Sequence, residues 1–227
     1  MASPSANLPP ASPSRPPRPR PAPSRSTPDA YRLLRLAQFP WTHLGAARIE
    51  ALAAKHQATL RIWPVDFGTI FAGSGGLPLP KRSPQRQAYR LQELARWREA
   101  TGIPIHIHPA HFPTSEALSA SAVIGVRETM GDAPAVTLAH AVLRALWEQE
   151  RNPGERATLS AIIAECGLDP AAVLALADDP RWAAMREADT AAALGRGVFG
   201  APSYVIGDDI FWGQDRLEFV AKRLAKG

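Results

Sequence analysis

The residues best suited to chemistry lie in one C-terminal stretch, Gly197-Val198-Phe199-Gly200-Ala201-Pro202-Ser203-Tyr204-Val205-Ile206-Gly207-Asp208-Asp209-Ile210-Phe211-Trp212-Gly213-Gln214-Asp215-Arg216. Pro202 stands at the start of an expected strand, where a ladder donor is missing and a cis peptide bond is the expected geometry. Such a bend exposes the backbone N–H and C=O of Ala201 for pairing with another chain. Ser203–Ile206 reads as a short β-run, Gly207–Asp209 as a tight turn and Ile210–Trp212 as the returning strand of a hairpin. A helix then starts near Gln214, with Leu217, Val220, Ala221 and Leu224 at i, i+3, i+4 and i+7. Gln214 and Asp215 occupy its first turn, whose unpaired N–H groups suit an anion. The chemistry on offer is the capture of a small peptide by its backbone.

Other candidate groups are isolated. Thr42 and His43 follow Phe39-Pro40-Trp41 at an expected helix start, where a threonine caps its own helix and a histidine either carries protons or is simply solvated. His106, His108 and His111 cluster without an acid or cysteine to complete a metal set, and Ile105-His106-Ile107-His108 alternates like a short surface strand. Gly73-Ser74-Gly75-Gly76 lacks the Gly-Lys-Ser/Thr ending of a phosphate loop and reads as a flexible loop. Cys166 is the only cysteine, which excludes an intrachain disulfide, a Cys-x-x-Cys redox pair and a multi-cysteine metal site. Its place on an apolar stripe makes it a small core residue, and the cysteine count fits a reducing, cytoplasmic compartment.

The elements that must position these groups begin after a tail. Residues 1–28 hold ten prolines among Ser, Ala and Arg, a composition expected to be disordered. The tail has no apolar segment like that of a secretory signal, and its prolines oppose the amphipathic helix of a transit peptide. The net charge is +5, but Arg15, Arg18, Arg20 and Arg25 all precede the first acid, Asp29. The remainder is close to neutral and gives no nucleic-acid signal. No run approaches the roughly 20 apolar residues that span a bilayer.

From Tyr31 the pattern becomes β-α-β: a poor strand at Tyr31–Gln38, a helix over His43–His56 and a strand at Thr59–Trp63 with Leu60 and Ile62 inward. Leu44, Ala47, Ala51 and Leu52 line one face of that helix. Helical periodicity then fills residues 84–195. Stripes run through Ala88, Leu91, Leu94 and Ala95, through Ala139, Val142, Leu143 and Leu146, and through Leu159, Ile162, Ile163 and Cys166, the last closed by Gly167. Asp169-Pro170 and Asp179-Pro180 each place a capping residue before proline at a helix start. The fold class is α/β: a thioredoxin-like domain of β-α-β and β-β-α halves (residues 29–66 and 197–227), split by an all-helical insertion (67–196).

The Gly197–Arg216 string, with Arg96-Trp97 and Phe112-Pro113, resembles the 2-hydroxychromene-2-carboxylate isomerases and kappa-class glutathione transferases, thioredoxin-like proteins related to the bacterial disulfide oxidoreductases. The likeness covers roughly residues 40–227. It implies glutathione as cofactor, with Ala201 and Pro202 at its cysteinyl unit and Gln214 and Asp215 at its γ-glutamyl end. It implies a small aromatic second substrate in a pocket formed by the insertion, with His106, His108 and His111 lining it, a role in aromatic catabolism, and a homodimer.

The resemblance also exposes two departures. The family's first strand ends in Ser-Pro, whose hydroxyl steadies the glutathione thiolate; Phe39 stands there, so Thr42 becomes the candidate replacement. Ser115 stands where many members have asparagine after Phe-Pro. Kappa-type transferase activity or a catalytically impaired glutathione-binding scaffold are the alternatives to an isomerase. A further account lies in the DNA. Codons for Leu33–Gln38 can be chosen so that the frame one nucleotide later reads Phe-Phe-Asp-Leu-x-Ser, close to the family strand. A frame or start-site error before Pro40 would then explain residues 1–39, and the nucleotides upstream of that codon test it.

Overall fold

The computed structural model describes residues 31–34 and 39–226. The expected disordered tail, the rest of the first strand and the frame account fall on residues outside these.

Strand β1 (Tyr31–Leu34) leads through helix α1 (Pro40–Lys55) to β2 (Leu60–Trp63), which pairs with it in parallel. On the other side of β1 lies β3 (Ser203–Ile206), antiparallel, with β4 (Asp209–Trp212) beyond it, giving the order β2-β1-β3-β4. Gly207, at φ 58, makes the hairpin turn in a conformation that favours glycine. Register decides the site. Leu34, at the end of β1, faces Ser203, at the start of β3, and Ser203 faces Trp212, at the end of β4. The chain leaving β1 toward α1, the chain entering β3 and the chain leaving β4 therefore meet at one end of the sheet.

Among the described residues, the regular elements between β2 and β3 are all helices. They include α2 (Phe67–Ser74), α3 (Pro84–Thr101), α4 (Ala117–Met130), α5 (Asp132–Trp147), α6 (Arg156–Glu165), α7 (Pro170–Ala177) and α8 (Pro180–Gly195). The two Asp-Pro starts cap as expected: Asp169 accepts from the amides of Ala171 and Ala172, and Asp179 from that of Arg181. After β4 a 3-10 turn over Gln214–Arg216 precedes α9 (Leu217–Leu224), so the last helix starts three residues later than its periodicity suggested.

All four residues of β3 are buried, as in a sheet covered on both faces. Tyr204 and Ile206 pack with Ile49 of α1 and Leu217, Val220 and Leu224 of α9. Val205 turns the other way, toward Phe67 and Ile70 of α2 and Ala193 of α8. The main helical core joins α4 to α7 and includes Ile62 of β2.

Several local expectations need correction. Helix α1 starts at Pro40, earlier than expected, and its buried face runs through Leu44, Ala46, Ile49 and Ala53; Ala47 and Ala51 are exposed. In α3 only Leu94 is buried and Ala88 is exposed, because the helix lies at the edge of the molecule. Gly73 and Ser74 belong to α2, which Gly75 terminates at φ 75, so that segment is a helix end rather than a loop. Ile105–His108 forms no strand; His106 N–H donates to Trp147 O at 2.7 Å and only Ile105 is buried.

Arg127, near the end of α4, is 4% exposed and joins three elements. Its Nη1 donates to the carbonyl of Ile62 in β2 at 2.9 Å and to Asp189 of α8 at 3.1 Å. Burial pushes the Asp189 carboxyl above its ordinary value, and Arg127 pulls it partly back. Replacing Arg127 by alanine leaves a desolvated carboxylate and an open carbonyl. The expected cost is about 3 kcal/mol, measured as a shift in the denaturant midpoint at neutral pH. A loss under about 1 kcal/mol would show that this link is not structural.

Candidate functional site

At the convergent end of the sheet, Phe39 is the N-cap of α1, with extended backbone and no side-chain cap bond. Its carbonyl accepts from the amides of Thr42 and His43 at 3.0 and 3.2 Å. Its ring packs edge-on against Phe67 at 5.4 Å and tilted against Phe71 at 5.8 Å. The position at which the family resemblance asks for a hydroxyl is thus part of an aromatic cluster.

Thr42 lies away from both clefts described below. It is fully buried and lies within the first turn rather than at the cap. His43 is also buried, at 3% exposed, where a solvated ring was expected. Its Nε2 lies 2.9 Å from Pro104 O and 3.4 Å from a Glu148 carboxylate oxygen, so it fastens α1 to the segment after α3.

Ala201 and Pro202 are joined by a cis peptide bond, as expected. The loop is tied on both sides: Gly213 N–H donates to Pro202 O at 2.9 Å, and the Ser203 hydroxyl to Gly200 O at 2.6 Å. Trp212 lies so close over Gly200 that a Cβ there would collide with the indole. Phe199 stacks edge-on to Trp212 at 4.8 Å, and both rings are about half exposed.

Two clefts open from this point, sharing Trp41, Ala201 and Trp212 as walls. The first, about 370 Å³, contains Gln214, Asp215, Arg216 and Trp97. Gln214 is 2% exposed. Its side-chain oxygen accepts a very short bond from Arg48 Nη1, which also reaches its backbone carbonyl at 3.2 Å. Arg48 in turn stacks over Trp97 at 5.8 Å. Asp215 is exposed beside Arg216, 2.9 Å away. Sequence reading found Gln214 and Asp215 but not Arg48, which lies mid-helix far from any motif.

The second cleft, about 310 Å³, reaches from Phe39 and Ala201 to α3. Its walls are aromatic, with Phe71, Phe112 and Phe199, and cationic, with Arg82, Arg86 and Arg90. The histidines expected there are elsewhere. His106 pairs with Glu150 at 3.5 Å on the surface, and His108 borders a separate hollow behind Arg90 and Phe112. Among the described residues no group of three or more His, Cys, Asp or Glu side chains is placed to hold a metal ion. Cys166 is half-buried against the helical core, and burial pushes its thiol up. No described helix is long and apolar enough to cross a membrane.

A four-stranded sheet of this order, a helix start facing a cis-proline loop and a helical insertion over that end define a thioredoxin-like protein with an inserted helical domain. The DSBA-like thioredoxin domain matches residues 38–225, and the chain belongs to that family. Within it, the chain is similar to the 2-hydroxychromene-2-carboxylate isomerase of Pseudomonas putida, 27% identical over 180 residues covering 78% of this chain and 85% of that one. It is likewise similar to the isomerase of Sphingobium xenophagum, 26% identical over 187 residues, 82% of this chain and 92% of that one. A solved 2-hydroxychromene-2-carboxylate isomerase shares the fold at a TM-score of 0.72 and 23% identity, over 86% of this chain and 94% of that one. The cytosolic disulfide reductase DsbM of Pseudomonas aeruginosa, solved with GSH, does so at 0.59 and 18%, over 86% and 98%.

Burial pushes the Glu148 carboxyl above its ordinary value, with Arg144 opposing. A carboxyl raised in the folded state stabilises the fold while protonated, and that contribution is lost as pH rises through its folded value. Glu148→Gln, neutral throughout, is therefore expected to gain stability relative to the parent between about pH 4 and pH 7. Unfolding midpoints of both proteins across that range measure it; a difference that stays constant refutes it.

Proposed function

We propose that this protein is a glutathione-dependent isomerase acting on an aromatic substrate of the 2-hydroxychromene-2-carboxylate type. One observation carries the reading: two clefts with different linings meet at Ala201, one closed by the Gln214–Arg216 turn with Trp97, the other aromatic and cationic. The similarity to isomerases from two genera supports the reaction class. The neighbour solved with GSH supports the cofactor class.

Glutathione suits the first cleft on the residues present. The Ala201 backbone, partly exposed, can pair with its cysteinyl unit. Asp215, at the surface, can accept from its α-amine, and the N–H groups of the turn at Gln214 can receive its carboxylate. Gln214 does not reach out as a free side chain; Arg48 holds it, so its part is to fix the turn. When bound, glutathione supplies a nucleophilic thiol that adds reversibly to a conjugated carbon and so permits rotation about a former double bond. The protein orients that thiol toward the second cleft. There Phe71, Phe112 and the indoles of Trp41 and Trp212 exclude water from a flat ring, and the arginines suit a carboxylate on it.

The disulfide chemistry of the oxidoreductase neighbours is unavailable, because Phe39-Pro40-Trp41-Thr42 has neither redox cysteine. A non-catalytic scaffold is the second reading, favoured by the missing hydroxyl at Phe39. Transferase activity uses the same site with another occupant of the second cleft. We assign residues 29–66 and 197–227 to the thioredoxin-like domain, residues 67–196 to the insertion, and the protein to a reducing, cytoplasmic setting.

Calorimetry with glutathione and Arg48→Ala test the assignment of the first cleft. Freed from Arg48, the Gln214 turn should bind glutathione about tenfold more weakly, with the isomerisation still following the bound fraction. Parent protein that shows no heat at millimolar glutathione removes the proposal. Glutathione binding without isomerisation of a 2-hydroxychromene-2-carboxylate selects the scaffold or the transferase.

A further inference from the structure

The second cleft carries more positive charge than a single substrate carboxylate calls for. Arg82, Arg86 and Arg90 border it and none of its lining residues is an acid. Several arginines elsewhere are paired: Arg61 with Glu128, Arg156 with Asp178, Arg223 with Asp209. Among the described residues none of the three cleft arginines forms an ion pair.

Two of them are held in place. Arg82 Nε donates to the Leu77 carbonyl at 2.8 Å, and its guanidinium lies 6.0 Å from the Phe71 ring, which itself lies 5.8 Å from Phe39. One aromatic ring thus separates Arg82 from the cap of α1. Arg90 stacks over Phe112 at 5.8 Å. Burial and the charge of Arg82 push its guanidinium below the ordinary value, as expected of like charges facing each other in a partly dehydrated space. An anion between them relieves that repulsion and makes charge-assisted contacts.

We propose that Arg82 and Arg90 do what a hydroxyl at position 39 would have done: they keep the thiol bound at Ala201 in its thiolate form. This rests on the glutathione reading above. In the step, the S–H bond breaks, its proton passes to bulk water and the electron pair stays on sulfur; nothing is oxidised or reduced. The other groups near the sulfur position are accounted for. Arg86 adds to the same field, the N-terminal end of α1 favours an anion, and Tyr89, Glu93, Asp215 and Arg216 lie in the first cleft, beyond Trp41 and Trp212. His108 lies behind Arg90 in its separate hollow. Arg82 and Arg90 line the same cleft as Ala201, and at the effective dielectric of a protein surface a positive charge on the order of 10 Å from a thiol lowers it by on the order of one pH unit.

The test is an ultraviolet titration of thiolate in the glutathione complex, alongside calorimetry with S-methylglutathione, which binds without ionising. In the parent protein the bound thiol should titrate about two units below free glutathione. Arg82→Gln with Arg90→Gln should return most of that difference while S-methylglutathione affinity changes little, and the paired lysine variants should keep the low value. Arg82→Gln alone, which leaves the half-buried Arg90 in place, should move it by about one unit. A glutamine variant that binds S-methylglutathione and titrates like the parent overturns the arginine assignment and leaves the glutathione reading intact. Parent protein that binds neither ligand overturns both.

Discussion

The site depends on the pairing of β1 with β3. Because Leu34 stands opposite Ser203 and Ser203 opposite Trp212, three chain segments remote in sequence are delivered to one sheet end: the start of α1, the Ala201–Pro202 loop and the Gln214 turn. A one-residue slip would send Val205 toward α1 and α9 and Tyr204 toward α2, exchanging the two buried faces of β3. Packing on both sides of the sheet therefore fixes the register. The loop geometry at the site inherits that precision from core residues that never touch a ligand.

The parts of the fold that could be read from sequence are those governed by local rules. The hairpin announces itself through Gly207 and its β-favouring flanks, the helix starts through Asp169-Pro170 and Asp179-Pro180, and the cis bond through Ala201-Pro202. Helix faces were read less well. Ala47 and Ala51 look apolar in a helical plot but contribute little when buried, so the face that carries the larger Leu44 and Ile49 is the one turned inward. Ile105–His108 alternates like a strand, but no neighbouring strand offers it a ladder, and it runs as irregular chain between α3 and α4.

The same distinction separates the site residues found from those missed. Ala201, Pro202, Gln214 and Asp215 belong to one contiguous stretch whose spacing carries meaning. Arg48 and the cleft arginines do not: each is an ordinary surface-type residue in a helix or loop, and only the tertiary arrangement sets Arg48 against Gln214 or turns Arg82 and Arg90 toward the same space. Arg86 and Arg90 are spaced i, i+4 and so share a helix face, but nothing local says that this face meets α1 across a cleft. Thr42 shows the opposite failure. Its position one turn into α1 looked suitable, yet its side chain is fully buried.

The shared walls of the two clefts have a thermodynamic meaning. Trp41, Ala201 and Trp212 border both spaces, and Trp212 has no freedom to retreat over Gly200, where the indole is already at contact. On the proposed reading, an occupant of either cleft rests on residues that also border the other. The two binding equilibria are consequently linked, and linkage is reciprocal: whatever factor the first occupant contributes to the second, the second returns to the first. On the proposed reading, two indoles shared between the clefts favour recognition of two molecules together rather than each in turn.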